Sequence, residues 1–135
     1  MIRIRVGKKM KGSAVAILDD DNSMLLLLRS GKSRWMPNKW GLPGGKVERG
    51  ENSLGAAIRE AKEETDLDLE PVDMKRLEKF SNNFVDIFYA SAYTGEVRTD
   101  FEHEDFEWVT RADIESYDTT PDLVQVFDWI LKNER

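Results

Sequence analysis

From Gly44 to Leu67 the chain reads GGKVERGENSLGAAIREAKEETDL, a glycine-rich loop running into an acidic stretch of helical periodicity. No other stretch constrains the fold as much. Leu54, Ala57, Ile58, Ala61 and Thr65 recur at the i, i+3, i+4 spacing that buries one face of a helix. At about 100° per residue, Glu60, Glu63 and Glu64 fall within roughly a third of the circumference, about 120° from that stripe. The spacing therefore predicts a helix with one face on a core and three carboxylates crowded at its surface. Like charges so placed repel one another, and more so away from the positive N-terminal pole of the helix. Arg59 is expected to pair with one carboxylate at a time, and Lys62 projects about 100° from either neighbour. Two readings remain open, a solvated acidic face or oxygen ligands for a hard divalent cation.

Composition narrows the chemistry. A chain of 135 residues with 40% hydrophobic residues, six Phe, four Trp and three Tyr suits one domain around one core. The absence of cysteine excludes disulfides and thiolate metal sites, and a single histidine, His103, excludes a histidine-rich zinc site. A net charge of −6 argues against non-specific binding to duplex nucleic acid but not against a small phosphorylated ligand carried with a metal. No apolar run, Met24 to Leu28 included, approaches the length of a membrane span, and no signal-peptide pattern opens the chain, so a cytoplasmic protein is expected.

Taken in order, Ile2, Ile4 and Val6 alternate with Arg3 and Arg5 as in a basic edge strand, a charge continued by Lys8, Lys9 and Lys11. Ser13 to Leu18 and Met24 to Leu28 read as a hairpin around the polar turn Asp19 to Ser23. Arg29 to Asn38 is a polar, basic loop with Trp35 in its middle, placed either to stack on a base or to pin the loop. Asn52 or Ser53 is placed to cap the acidic helix, with Glu51 adding charge at its positive pole. Met74 to Ser81 and Phe84 to Tyr93 read as paired strands. The acid-rich run from Phe101 to Glu107 reads as a charged loop before the β-prone Phe106 to Val109. His103 reads as a surface histidine there, with proton carriage as its other use. Thr120 as cap and Pro121 at the first helical position open a final helix that turns Leu123, Val126, Phe127 and Ile130 inward.

The stretch from Gly45 to Leu67 resembles the Nudix box of MutT-like hydrolases, Gly-x5-Glu-x7-Arg-Glu-U-x-Glu-Glu-x-Gly-U with U aliphatic. Gly45, Glu51, Arg59, Glu60, Ala61, Glu63, Glu64 and Leu67 fill the fixed positions, and Asp66 replaces the last glycine. That glycine ends the helix in a left-handed residue, a conformation Asp also tolerates. The Trp40-Gly41-Leu42-Pro43-Gly44-Gly45 run is similar to the family's approach to its box, and Trp108-Val109 to its aromatic-aliphatic pair.

The resemblance implies one α+β domain over residues 1–135, an α/β/α sandwich with a mixed β-sheet between the box helix and a C-terminal helix, as a monomer or homodimer. It implies hydrolysis of a nucleoside diphosphate linked to another group, with Mg²⁺ or Mn²⁺ offsetting charge on the phosphoryl oxygens. Glu60, Glu63 and Glu64 carry over as metal ligands, joined by the Gly45 backbone, and Arg59 with Glu51 supports the loop–helix–loop. The general base stays open among Glu60, Glu64 and a loop acid, of which Glu102, Glu104 and Asp105 are candidates and Glu104 is preferred. The subgroup marks expected near Ser81 to Phe84 are absent. The expected substrate is therefore a nucleoside triphosphate or a modified one, cleaved to the monophosphate and pyrophosphate, with Trp35, Phe84 or Phe88 as a stacking surface for the base. Nucleotide sugars, dinucleoside polyphosphates and the 5′ end of an RNA are the rival substrates, and a non-catalytic nucleotide sensor is the rival class.

Overall fold

The computed structural model describes residues 11–99 and 103–135. The expected strand Ile2 to Val6, its basic residues through Lys9, and Glu102 lie outside the described residues, as does the side chain of Glu104. The elements run β1 (Gly12–Ile17), β2 (Met24–Arg29), β3 (Trp40–Gly41), β4 (Gly44–Lys46), α1 (Ser53–Thr65), β5 (Met74–Arg76), β6 (Val85–Ala90), β7 (His103–Val109) and α2 (Leu123–Asn133). Single 3₁₀ turns cover Pro71–Asp73, Glu78–Phe80 and Ile114–Ser116. The fold is the expected α+β sandwich, with the strands grouped as a mixed sheet in the order β4-β1-β6-β5 and an antiparallel sheet in the order β3-β2-β7.

That division corrects the reading of β1 and β2 as a hairpin. They share one bridge, Leu18 to Met24, before the chain passes into the other sheet. The reason is that a strand has two edges and β1 spends both, antiparallel to β4 and parallel to β6. The polar turn itself forms as read, with the Asp19 carboxylate accepting from Asp21 N at 3.0 Å and Ser23 N at 2.8 Å. Both strands read as continuous apolar runs because both of their faces are buried. Val15, Ile17 and Leu25 pack on the α1 side with Ala57, Ala61, Leu67 and Phe88. Ala16, Leu18, Met24 and Leu26 pack on the α2 side with Val126, Phe127 and Ile130.

The helices begin where local chemistry lets them. Asn52 is the N-cap of α1, accepting from Gly55 N at 2.7 Å. Asp66 closes the helix in the left-handed conformation, φ 64°, with its N–H on the Lys62 carbonyl at 2.9 Å. Helix α2 starts later than its sequence suggests. Asp122, not Thr120, is its N-cap residue, and Thr120 is buried with its N–H on the Trp40 carbonyl at 2.9 Å. The run from Asp118 to Thr120 therefore pairs alongside Trp40 of β3 before the chain turns into a helix. The inward face of Leu123, Val126, Phe127 and Ile130 is as expected, each side chain contributing about 1.5–3 kcal/mol by burial. The strand read over Met74 to Ser81 stops at Arg76 and gives way to a 3₁₀ turn, while its pairing with β6 is as read.

Candidate active site

Strand β4 lies antiparallel to β1, with Gly45 opposite Ser13 and Gly44 opposite Ala14, and α1 packs over both strands. Two glycines make that approach possible. A Cβ on Gly44 would stand 2.8 Å from Ala14 Cα, and one on Gly45 would overlap the Glu60 carboxylate. The helix therefore brings its acids against bare strand backbone. Gly44 N–H donates to Glu64 Oε1 at 2.8 Å, and Ser13 Oγ donates to the Ser53 carbonyl at 2.7 Å, which fixes the start of α1 on β1.

The three carboxylates are not crowded together at the surface as expected. Glu64 is buried at 7% exposure, Glu60 keeps 15% of its side chain exposed, and Glu63 keeps 55%. Burial of Glu64 is offset by its bond from Gly44, since a buried carboxylate needs donors. Nor is Arg59 limited to one partner. Its Nε donates to Glu51 Oε2 at 2.7 Å and a terminal nitrogen to Glu51 Oε1 at 3.0 Å; the other terminal nitrogen reaches Glu60 at 2.9 Å and Glu63 at 3.2 Å. It also donates to the Lys46 carbonyl at 3.0 Å, so one guanidinium ties the loop after β4 to the helix. A planar fork with five donors can do this where a lysine cannot. The hydrogen bond to Glu51 comes first among the causes that raise the Arg59 pKa, and in return it holds Glu51 below the usual carboxylate value. Lys62 turns away from this network and pairs with Asp66 and Asp68.

Sequence reasoning missed two groups. Asp86, buried in β6, receives Lys11 Nζ at 3.1 Å and Arg76 Nε at 3.1 Å. Its burial alone would raise its pKa, but bonds from Ser53, Lys11 and Arg76 outweigh that and hold it low. Nothing local marks an Asp in an alternating strand as the centre of such a network. His103 is the other. It is the first residue of β7, not part of a solvated loop, and 7% of its side chain is exposed, with Nε2 3.9 Å from Glu64 Oε2.

The three aromatic candidates separate. Trp35 and Phe84 are exposed, at 55% and 54%, while Phe88 is buried at 6% in the core beneath α1 and has no face to offer a base. That removes Phe88 from the candidate stacking surface, because its place in β6 points it inward with Ala90. The Trp35 carbonyl accepts from Arg29 Nε at 2.8 Å and from Ser33 Oγ at 2.8 Å, and the Arg29 guanidinium lies 4.9 Å from its ring centre. Its backbone thus pins the loop while its ring stays open to solvent. The Phe84 carbonyl accepts from Gly12 N at 2.8 Å, which places it at the start of β1, the end of the sheet where Gly45 faces Ser13.

Among the described residues, no three Asp, Glu, His or Cys side chains are gathered as a ligand set, and Glu60 and Glu63 share one terminal nitrogen of Arg59. The donor chemistry nevertheless suits a hard cation. Glu60 lies against Gly45 in a space that any Cβ would fill, so its carboxylate meets strand backbone with no side chain between them. Among the described residues no helix is long and apolar enough to cross a membrane.

Comparison with known proteins agrees with this architecture. The NUDIX domain profile matches residues 8–130, and the chain belongs to that family. It is 40% identical over 73 residues to the m7GpppN-mRNA hydrolase NUDT17 of Xenopus laevis, a match covering 54% of this chain and 25% of that protein. It is 34% identical over 73 residues to the 8-oxo-dGTP diphosphatase of Escherichia coli (strain K12), covering 54% of this chain and 55% of that one. Among solved structures, the MutT protein from Methanosarcina mazei Go1 aligns with a TM-score of 0.74 at 28% identity, over 95% of this chain and 99% of that one. The chain thus spans a quarter of the length of the frog relative and about half of the bacterial diphosphatase.

Proposed function

We propose that this Nudix hydrolase cleaves a phosphoanhydride bond of a nucleoside triphosphate, ordinary or chemically modified, releasing the monophosphate and pyrophosphate. The observation that carries this reading is the pressing of Glu60 and Glu64 onto the Gly44–Gly45 backbone, which sets two carboxylates where a diphosphate can approach bare main chain. Glu60, Glu63 and Glu64, with the Gly45 backbone, would hold Mg²⁺ or Mn²⁺. When bound, such an ion supplies charge compensation on the phosphoryl oxygens and activation of water. Arg59 keeps the loop and the acid row in register through Glu51 and Glu60. A carboxylate among Glu60, Glu64 and Glu104 takes the proton of the attacking water. Trp35 and Phe84, both exposed, offer the base stacking surface worth about 1–3 kcal/mol per base.

The identity to a protein named 8-oxo-dGTP diphosphatase supports the choice of a triphosphate. A second reading, hydrolysis at the 5′ end of an RNA, is supported by the 40% identity to a protein named m7GpppN-mRNA hydrolase. Turnover should be measured with Mg²⁺ on ordinary and oxidised triphosphates, ADP-ribose, GDP-mannose, diadenosine tetraphosphate, and capped and triphosphorylated oligonucleotides. A triphosphate is expected to lead, with pyrophosphate released and activity lost in Glu64→Gln. A nucleotide sugar or an RNA end preferred a hundredfold over every triphosphate overturns the substrate, and no hydrolysis of any member overturns the activity.

A further inference from the structure

The His103 side chain, only 7% exposed, has no part in the proposed hydrolysis, and it is aimed at α1 by an irregularity in its strand. Along β7 the side chains alternate, with Phe106 and Trp108 packed on the α1 side and Asp105 and Glu107 exposed. Strict alternation would put His103 with Asp105 and Glu107, away from the helix. The pairing with β2 prevents this. Asp105 stands opposite Leu28, but the next residue of β2, Arg29, stands opposite His103, so the register skips one residue of β7 at Glu104. An extra residue of this kind reverses the alternation beyond it and re-aims the side chain that follows. His103 is thereby turned to the α1 side, where only 7% of its side chain is exposed and its Nε2 lies 3.9 Å from Glu64 Oε2.

The two oxygens of Glu64 have different neighbours. Oε1 accepts from Gly44 N–H at 2.8 Å, and Oε2 faces the imidazole. A carboxylate on a flexible stem can rotate about its last bonds, and anchoring one oxygen does not by itself stop the other from swinging. A ring packed beside that oxygen restricts the swing.

We propose that His103 is a positioning residue for the Glu64 carboxylate, placed by the β7 register skip so that Oε2 keeps a fixed direction into the site. This rests on the reading of Glu64 as part of the hydrolytic machinery, and on His103 acting through Glu64 rather than on the substrate. The effect belongs to turnover and to ion binding, not to nucleotide affinity. Loss of the ring lets Oε2 wander, and small misplacements of a reacting group cost rate steeply.

The test compares His103→Leu, His103→Gln, His103→Asn and Glu64→Gln. Readouts are kcat and KM on the best triphosphate, Mn²⁺ binding followed by electron paramagnetic resonance without nucleotide, and melting temperature. His103→Leu is expected to lower kcat about 10- to 100-fold with KM within about threefold, and to weaken Mn²⁺ binding several-fold. His103→Gln, whose amide reaches the position of Nε2, is expected to recover most of both, whereas the shorter His103→Asn does not. If His103→Leu fails to fold, the contrast between Gln and Asn carries the test. Wild-type kcat and Mn²⁺ binding in His103→Leu, or equal losses in Gln and Asn, overturn the proposal while an inactive Glu64→Gln leaves the hydrolytic reading standing. A fully active Glu64→Gln overturns that reading instead, and the proposal with it.

Discussion

Helices α1 and α2 cover opposite faces of the same strands and are held there by different means. Helix α2 buries Leu123, Val126, Phe127 and Ile130, side chains whose volume fills the core. Helix α1 buries Ala56, Ala57, Ala61 and Thr65, with Glu64 as its one buried charge. Small residues let a helix axis come close to a sheet, and here closeness is what allows Glu60 and Glu64 to reach the Gly44–Gly45 backbone. What α1 forgoes in apolar area it recovers in part through polar contacts, among them Ser13 to Ser53 and Gly44 to Glu64. One helix anchors the fold by volume; the other is positioned by proximity, which brings its charged groups onto strand backbone.

Substitutions on each helix test this contrast. Phe127→Ala, which empties the largest fully buried side chain of the α2 face, is expected to cost about 3–5 kcal/mol in urea denaturation, with KM of the surviving folded fraction unchanged. A loss under about 1 kcal/mol would show that α2 does not hold the fold by volume. Ala61→Leu is expected to cost less stability, about 1–3 kcal/mol, but to lower turnover at least tenfold by pushing α1 off the strands. An Ala61→Leu protein with full turnover would break the link between small residues and the site.

Asp86→Asn tests the polar side of the comparison and is expected to cost about 2 kcal/mol at neutral pH, because Lys11 and Arg76 lose a buried partner but remain exposed enough to rehydrate. The sign with pH follows from the lowered pKa of Asp86 in the fold. Its contribution is complete above the unfolded carboxylate value and is lost as pH falls through the lower folded value. The gap in stability between wild type and variant should therefore be constant near neutrality and close only below about pH 4. A gap that persists undiminished at lower pH would assign the cost to packing. The smallest effect is expected at Glu48, 65% exposed and 3.8 Å from Arg59, where Glu48→Gln should change stability by less than about 0.5 kcal/mol and leave turnover at the wild-type value. If Glu48 proved as critical as Glu64, the register of the acid row would be wrong.

The site was unevenly legible in the sequence. The Glu60, Glu63, Glu64 spacing and the Arg59 and Glu51 positions follow from a helical period and a box pattern, and the structure sets Arg59 between Glu51 and the acid row. Phe88 could not be separated from Trp35 and Phe84 as an aromatic candidate, because its inward direction comes from packing with Ala57 and Leu67, residues remote in the chain. His103 was hidden for a related reason: its acid-rich run reads as a charged loop, and only the pairing of β7 with β2 reveals both the strand and the skipped residue.

What the sequence determined by itself is what local forces decide. Helix α1 with its Asn52 cap and left-handed Asp66 end, the polar turn at Asp19, and the inward stripe of α2 each depend on residues within a few positions of one another. Tertiary structure alone decided that β1 and β2 part into two sheets, that Thr120 pairs alongside β3 instead of capping α2, and that Glu64 is buried while Glu63 faces outward. These outcomes depend on which edges are already paired and which backbone lies within reach, such as Gly44 beneath Glu64 and β6 beside β1. A hydrogen bond between residues twenty positions apart has no signature in the spacing of either, so the direction of each acid could be read only after the strands had been placed.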